Sequence, residues 1–226
     1  MLTQTQPIRL NKFLAERLGV SRRKADELIA SGQIKVDNTP ATLGNKIDSK
    51  SKILYKNKLI PFEVEYKYLA FHKPVGYVCS RHAQGKTPTI YELLPKKYHE
   101  LKTVGRLDKD SSGLILLTND GDFAFKMTHP KFRKTKIYEV ELDHPLEPLH
   151  QQMISDYGVM LSDGPSKFKV IRDDSYYIVT LTEGRNRQIR RTFAALGYHV
   201  TKLHRTAFGP YELGKIEPEK YMEFKV

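Results

Sequence analysis

The chain has 226 residues, long enough for one large domain or two smaller ones, and its single cysteine, Cys79, excludes a disulfide framework and cysteine-rich zinc sites. Lys and Arg number 38 against 26 Asp and Glu, a formal charge of +12 that points to a polyanionic partner, nucleic acid first. A lone cysteine fits a reducing cytoplasm. "MLTQTQPIRL" lacks a secretory pattern, and no apolar run approaches the roughly 20 residues that span a bilayer.

In chain order, "IRLNKFLAERLG" places Leu10, Phe13, Leu14 and Leu18 at helical spacing, with Arg9 or Asn11 at the start and Gly19 as a stop. "VSRRKADELIASGQ" predicts a second helix, capped by Ser21, buried along Ala25, Leu28 and Ile29, and ended by Gly32. Arg22, Arg23 and Lys24 crowd its first turn, where the helix dipole disfavours cations. Phosphate contact would offset that cost. Short extended runs follow, "IKVDN" and "SKILYKN", separated by turn residues. Over residues 8–58 this pattern resembles an S4 RNA-binding domain, with "SRRKADELIASGQIKVDN" as the second helix and the turn into the sheet.

"KLIPFEVEYKY" reads as a joint, with the linker at residues 61–67 between a domain at 1–60 and a larger one at 68–226. The larger part is rich in strand-like runs: "YLAFHK", "GLILLT", "KIYEVEL", "SKFKVI" and "YYIVTLT". Helical stretches, "DFAFKMTH" and "RQIRRTFAALG", interrupt them. Regular strand–helix alternation and a Gly-rich phosphate loop are both missing, so a doubly wound nucleotide binder is not expected. The fold class predicted is α+β: a small S4 domain, then a domain with a mixed, mainly antiparallel sheet and flanking helices.

"GRLDKDSSGLILLTNDG" has the spacing of a calcium loop, with Asp108, Asp110 and Ser112 at alternate positions before Gly113. The reading fails because the twelfth position is Asn119, which cannot give two carboxylate oxygens, and because "GLILLT" reads as a buried strand. Asp110 then reads as a turn residue, and Asp108 as a carboxylate at a strand end with Arg106 on its side.

"VGRLDKDSSGLILLTNDG", "HKPVGYVCS", Lys136-Ile137-Tyr138 and "LTEGRNRQIRRTFAALGYHVTKLHR" together resemble the pseudouridine synthases, in the branch that modifies single uridines of ribosomal RNA behind an S4 domain. The resemblance implies isomerisation of uridine to pseudouridine in the cytoplasm, without cofactor, nucleotide or metal. The partner it implies is ribosomal RNA or a ribosome assembly intermediate, with the large subunit slightly favoured. It makes Asp108 the catalytic carboxylate, Arg190 its paired cation with Arg187 as the second choice, and Tyr138 the ring against the target base. Arg106, Leu203 and Arg187 become substrate contacts, and Arg22, Arg23, Lys24, Lys73, Arg185 and Arg191 RNA contacts. On a helix, Arg187, Arg190, Arg191 and Ala194 would share a face. No long exposed heptad pattern is present, so a monomer is expected. The competing reading is a non-catalytic RNA-binding or ribosome-assembly protein on the same fold. A decayed site should have lost Asp108, Tyr138 or Arg190, and all three are in place.

Overall fold

The computed structural model describes residues 6–81, 83 and 85–226. The first five residues of the expected front domain lie outside that range. The chain separates into two compact units, Met1–Lys67 with Asn119–Gly121, and Tyr68–Thr118 with Asp122–Val226.

The first unit runs β1 (Ile8–Arg9), α1 (Leu10–Arg17), α2 (Arg22–Ala30), β2 (Ile34–Val36), β3 (Thr39–Pro40), β4 (Lys46–Ile47), β5 (Ile53–Tyr55) and β6 (Lys58–Leu59). Ser21 caps α2 by accepting from the Lys24 amide at 3.0 Å. Gly32, with φ of +70°, turns the chain out of that helix. The strands form an antiparallel sheet in the order β3-β2-β5-β6. Its two hairpins turn at Asp37-Asn38 and Lys56-Asn57, all four at positive φ, as type I′ turns require. Leu10, Phe13, Leu14, Ala25, Ile29, Ile34 and Ile53 close one core. Residues 61–67 contain no helix or strand, yet they are tied down. Arg17 donates from Nε to the Pro61 carbonyl at 3.2 Å, Phe62 packs on Phe13, and Asn119 bonds the backbone of Glu65 and Lys67.

The second unit holds β7 (Tyr68–Lys73), β8 (Lys102–Val104), β9 (Ser112–Thr118), α3 (Gly121–Thr128), β10 (Lys136–Leu142), α4 (Pro148–Gln152), β11 (Val159–Leu161), β12 (Gly164–Ser166), β13 (Lys169–Asp173), β14 (Tyr176–Leu181), α5 (Gln188–Ala194), β15 (Val200–Phe208), β16 (Tyr211–Glu212) and β17 (Tyr221–Glu223). Nine strands make one sheet, in the order β13-β14-β10-β15-β9-β7-β17, with β16 beside β15 and β8 beside β9. Its pairings are antiparallel except β15–β9, which is parallel. The protein is thus α+β, with the mixed, mainly antiparallel sheet that the strand-like runs imply.

β9 is the strand on which the site is mounted. Leu114, Ile115, Leu116 and Leu117 are all fully buried. Ile115 and Leu117 face a large core with Phe71, Val140 and Phe193, while Leu114 and Leu116 face a smaller one with Phe123, Met127 and Phe208. A strand covered on both faces needs a continuous apolar run, and "LILL" is that run. Each side chain contributes roughly 1.5–3 kcal/mol by burial.

Gly113 opens this strand at φ +105°, pressed against Arg205 of β15. A Cβ there would lie 2.2 Å from the Arg205 carbonyl oxygen, a backbone atom that cannot rotate away. Gly113→Ala should therefore cost about 3 kcal/mol or more in thermal or urea unfolding. Gly214→Ala, also at positive φ but with nothing within 4 Å, should cost only about 1 kcal/mol.

Candidate active site

The loop between β8 and β9 carries Asp108, and its backbone is held one carbonyl at a time. The Lys73 ammonium, at the end of β7, donates to the carbonyls of Asp108 at 3.0 Å, Ser111 at 2.7 Å and Pro74 at 2.9 Å. The Gly76 amide takes the Lys109 carbonyl at 2.7 Å, and Arg190 takes that of Asp110 at 2.8 Å. Four consecutive carbonyls are thereby engaged. The Asp108 carboxylate is left a third exposed, projecting into a cavity of about 310 Å3. That volume is at the lower end for small-ligand sites.

The cavity wall places Arg106, Tyr138, Leu203 and Arg187 around Asp108. Tyr138 stands on β10 and is 8% exposed, sharing its face with Val140. Leu203 comes from β15, directly opposite Val140. Arg106 is exposed at the cavity edge. The substrate and catalytic positions named from sequence thus border one cavity, apart from Arg190.

Arg190 does not pair with Asp108. It lies under the turn, with Nε 3.3 Å from an Asp110 carboxylate oxygen, one Nη on the Asp110 carbonyl and the other on the Val200 carbonyl at 2.7 Å. The guanidinium that reaches Asp108 is Arg187, at 3.7 Å. Arg187 also grips Asp110 through two parallel bonds of 3.0 and 2.8 Å. Asp110 is therefore more than a turn residue: it is the anion that orders both arginines. Its hydrogen bonds from Arg187 hold its carboxyl below the usual range, aided by the nearby charge of Arg190 and opposed by partial burial. Arg187 precedes α5 in left-handed backbone, at φ +46°, so the four-residue helical face does not form.

One assignment to RNA is also corrected. Lys73 is fully buried and cannot reach RNA, because its ammonium is spent on the Asp108 loop. Arg185 and Arg191 stay partly exposed and pair with the β11–β12 turn. Arg191 holds the Asp163 carboxylate by two bonds of 3.0 and 2.8 Å. Arg185 bonds Asp163 and the carbonyls of Gly164 and Pro165. Arg22, Arg23 and Lys24 are exposed on the first turn of α2, with Lys24 also paired to Glu27 at 2.8 Å.

Sequence reading missed Arg205, which is 2% exposed and borders the cavity beneath Tyr138. It lies on a central strand opposite Tyr138, a pairing that the string "TKLHR" does not carry.

The chain matches the family model for RNA pseudouridylate synthases over residues 67–195 and that for the S4 domain over residues 8–53. It is 37% identical over 212 residues to the ribosomal small subunit pseudouridine synthase A of Pasteurella multocida, covering 91% of this chain and 90% of that one. It is 36% identical over 220 residues to the ribosomal large subunit pseudouridine synthase B of Salmonella typhi, covering 92% and 75%. A crystal structure of a pseudouridylate synthase superposes with a TM-score of 0.69 at 32% identity, covering 96% of both chains.

Burial pulls the Lys73 pKa down to about 8, against the opposing charges of Asp108 and Asp110. The folded protein then sheds this proton before the unfolded chain does. Between pH 8 and the ordinary lysine range, the group makes folding more favourable as pH rises. A neutral amine, however, has too few hydrogens for three carbonyls. Activity should therefore fall along an alkaline limb centred near pH 8, without loss of thermal stability from this group. Lys73→Arg, which stays charged, should work more slowly and lack that limb; pH–rate profiles beside melting curves check this.

By matched family and full-length relatives, this chain belongs to the RNA pseudouridylate synthase family, with an S4 domain at its front.

Proposed function

We propose that the protein isomerises a uridine of ribosomal RNA to pseudouridine, as a cytoplasmic monomer, on free RNA or on an assembly particle. Residues 1–60 act as the S4 RNA-binding domain and 68–226 as the catalytic domain, joined by 61–67. The observation that carries the reading is the Asp108 carboxylate, presented into a cavity from a loop whose four carbonyls are fixed. Pseudouridine formation breaks C1′–N1 and makes C1′–C5, and no atom is gained or lost. A carboxylate can attack C1′, add to C6, or take the 2′ proton. Each route needs the carboxylate held still, which the loop provides, and Arg187 sets a positive charge 3.7 Å from it.

Uridine within folded RNA must leave its stack, at a cost of a few kcal/mol. Tyr138 offers a flat face to the extruded base, Leu203 an apolar wall, and Arg106, at the edge, a cation for the displaced strand. The identities to small- and large-subunit relatives, 37% and 36%, do not separate the two targets. Both RNAs therefore belong in the assay.

When unmodified ribosomal RNAs of both subunits are incubated with the protein, one of them should gain pseudouridine at one position, read by chemical labelling and primer extension. Asp108→Asn should lower the rate roughly ten-thousandfold or more while RNA binding persists. An active Asp108→Asn protein, or no product on either RNA or on ribosomal particles, would refute the reading. Replacing Arg22, Arg23 and Lys24 by Ala should weaken RNA binding and flatten its salt dependence, with the single-turnover rate at saturating RNA unchanged.

A further inference from the structure

We infer that Arg205 is a base-contacting residue of this site: its guanidinium takes a carbonyl oxygen of the bound uracil and stabilises the negative charge that develops there. The inference rests on the function proposed above.

Arg205 stands at the centre of the sheet, opposite Tyr138 on one side and Gly113 on the other. Its Nε donates to the Leu114 carbonyl at 2.8 Å. One Nη is buried with no hydrogen-bond partner. Among the described residues no carboxylate comes within ion-pair distance. The aromatic faces of Phe208 and Tyr138 lie 5.0 and 6.0 Å from the guanidinium carbon. Such contacts return less than the burial of an unpaired charge costs, and an unsatisfied donor adds to that cost. A methionine or leucine would fill the same space without that cost. The hydroxyl of Ser111, on the same cavity, is likewise buried and unpartnered. The Arg205 guanidinium borders the cavity, so an acceptor that enters can supply a hydrogen bond that the protein does not.

The occupant must also tolerate the Asp108 carboxylate in the same cavity. A phosphate would be repelled by it. A neutral pyrimidine offers carbonyl oxygens, and it becomes anionic only as the reaction proceeds. When C1′–N1 breaks, the bond pair passes to the base and spreads onto its two carbonyl oxygens. The base turns, C5 bonds to C1′, C5 releases its proton, and N1 is protonated. If Asp108 adds to C6 instead, the ring's charge again falls on a carbonyl oxygen. A fixed cation at that oxygen binds the charged state more tightly than the neutral one, which accelerates the chemistry.

The test uses the full chain and transcribed ribosomal RNA of both subunits. Arg205→Met should bind RNA within about threefold of wild type and lose about a hundredfold or more in single-turnover rate. Arg205→Lys should recover part of the loss. With the modified uridine mapped, RNAs carrying 2-thiouridine or 4-thiouridine at that position probe the contact, because sulfur is a poor acceptor. One of them should slow the wild type, and Arg205→Met should treat oxygen and sulfur alike. If Arg205→Met fails to melt cooperatively, Arg205→Lys and the wild-type sulfur effect decide. An equally active Arg205→Met, or a wild type indifferent to both sulfurs, sinks this inference alone. A wild type without product on either RNA sinks the functional reading and this inference with it.

Discussion

The site depends on one buried ammonium. Lys73 has no contact with solvent, and three carbonyl oxygens surround its Nζ, two of them from the loop that carries Asp108. Backbone carbonyls in a loop ordinarily turn to water. Here they turn inward to a single charge, which fixes the peptide planes that follow Asp108 and Ser111. The arrangement is costly, as the depressed lysine pKa shows, because the ion is desolvated and has no carboxylate in direct contact. What it gives in return is position, and a reacting carboxylate misplaced by an ångström loses much of its effect.

The arginines divide into two sets, each gathered by one aspartate. Asp110 collects Arg187 and Arg190, and Asp163 collects Arg185 and Arg191. Both aspartates are close to half exposed, so solvent screens each pairing and it contributes little to stability. Their importance is geometric. Asp110 stands two residues from Asp108, so the turn that presents the Asp108 carboxylate also brings Arg187 to 3.7 Å from it. Asp163 anchors the start of α5 to the β11–β12 turn, which keeps Arg187 at the mouth of the cavity.

Much of this was legible in the sequence where the cause is local. The Ser21 cap, the Gly32 stop and the doubly buried run after Gly113 follow from residues within a few positions of one another. Tyr138 and Leu203 could be placed because strand alternation and motif order agree. What escaped was long in range. Arg187 meets Asp110 across 77 residues, Arg190 meets it across 80, Lys73 reaches Ser111 across 38, and Arg205 reaches Leu114 across 91. Charge signs are visible in a string, but pairings are set by which strand lies beside which. "RNRQIRR" shows four equivalent cations; only the sheet order assigns two to Asp110 and two to Asp163. Lys73, in "HKP", reads as a surface cation until β7 is seen to run antiparallel beside β9, with Lys73 opposite Gly113.

Gly113 is where these elements meet. It is the residue opposite Lys73 in one neighbouring strand and Arg205 in the other, at the point where the loop becomes β9. Two buried cations therefore flank the origin of the loop, one bonded to its carbonyls and one facing the cavity. Each raises the cost of burying the other, as the lowering of the Lys73 pKa by Arg205 shows. A sequence selected for stability alone would not hold two such charges in the centre of a sheet. In the function proposed, the same field favours an electron-rich base beside Asp108.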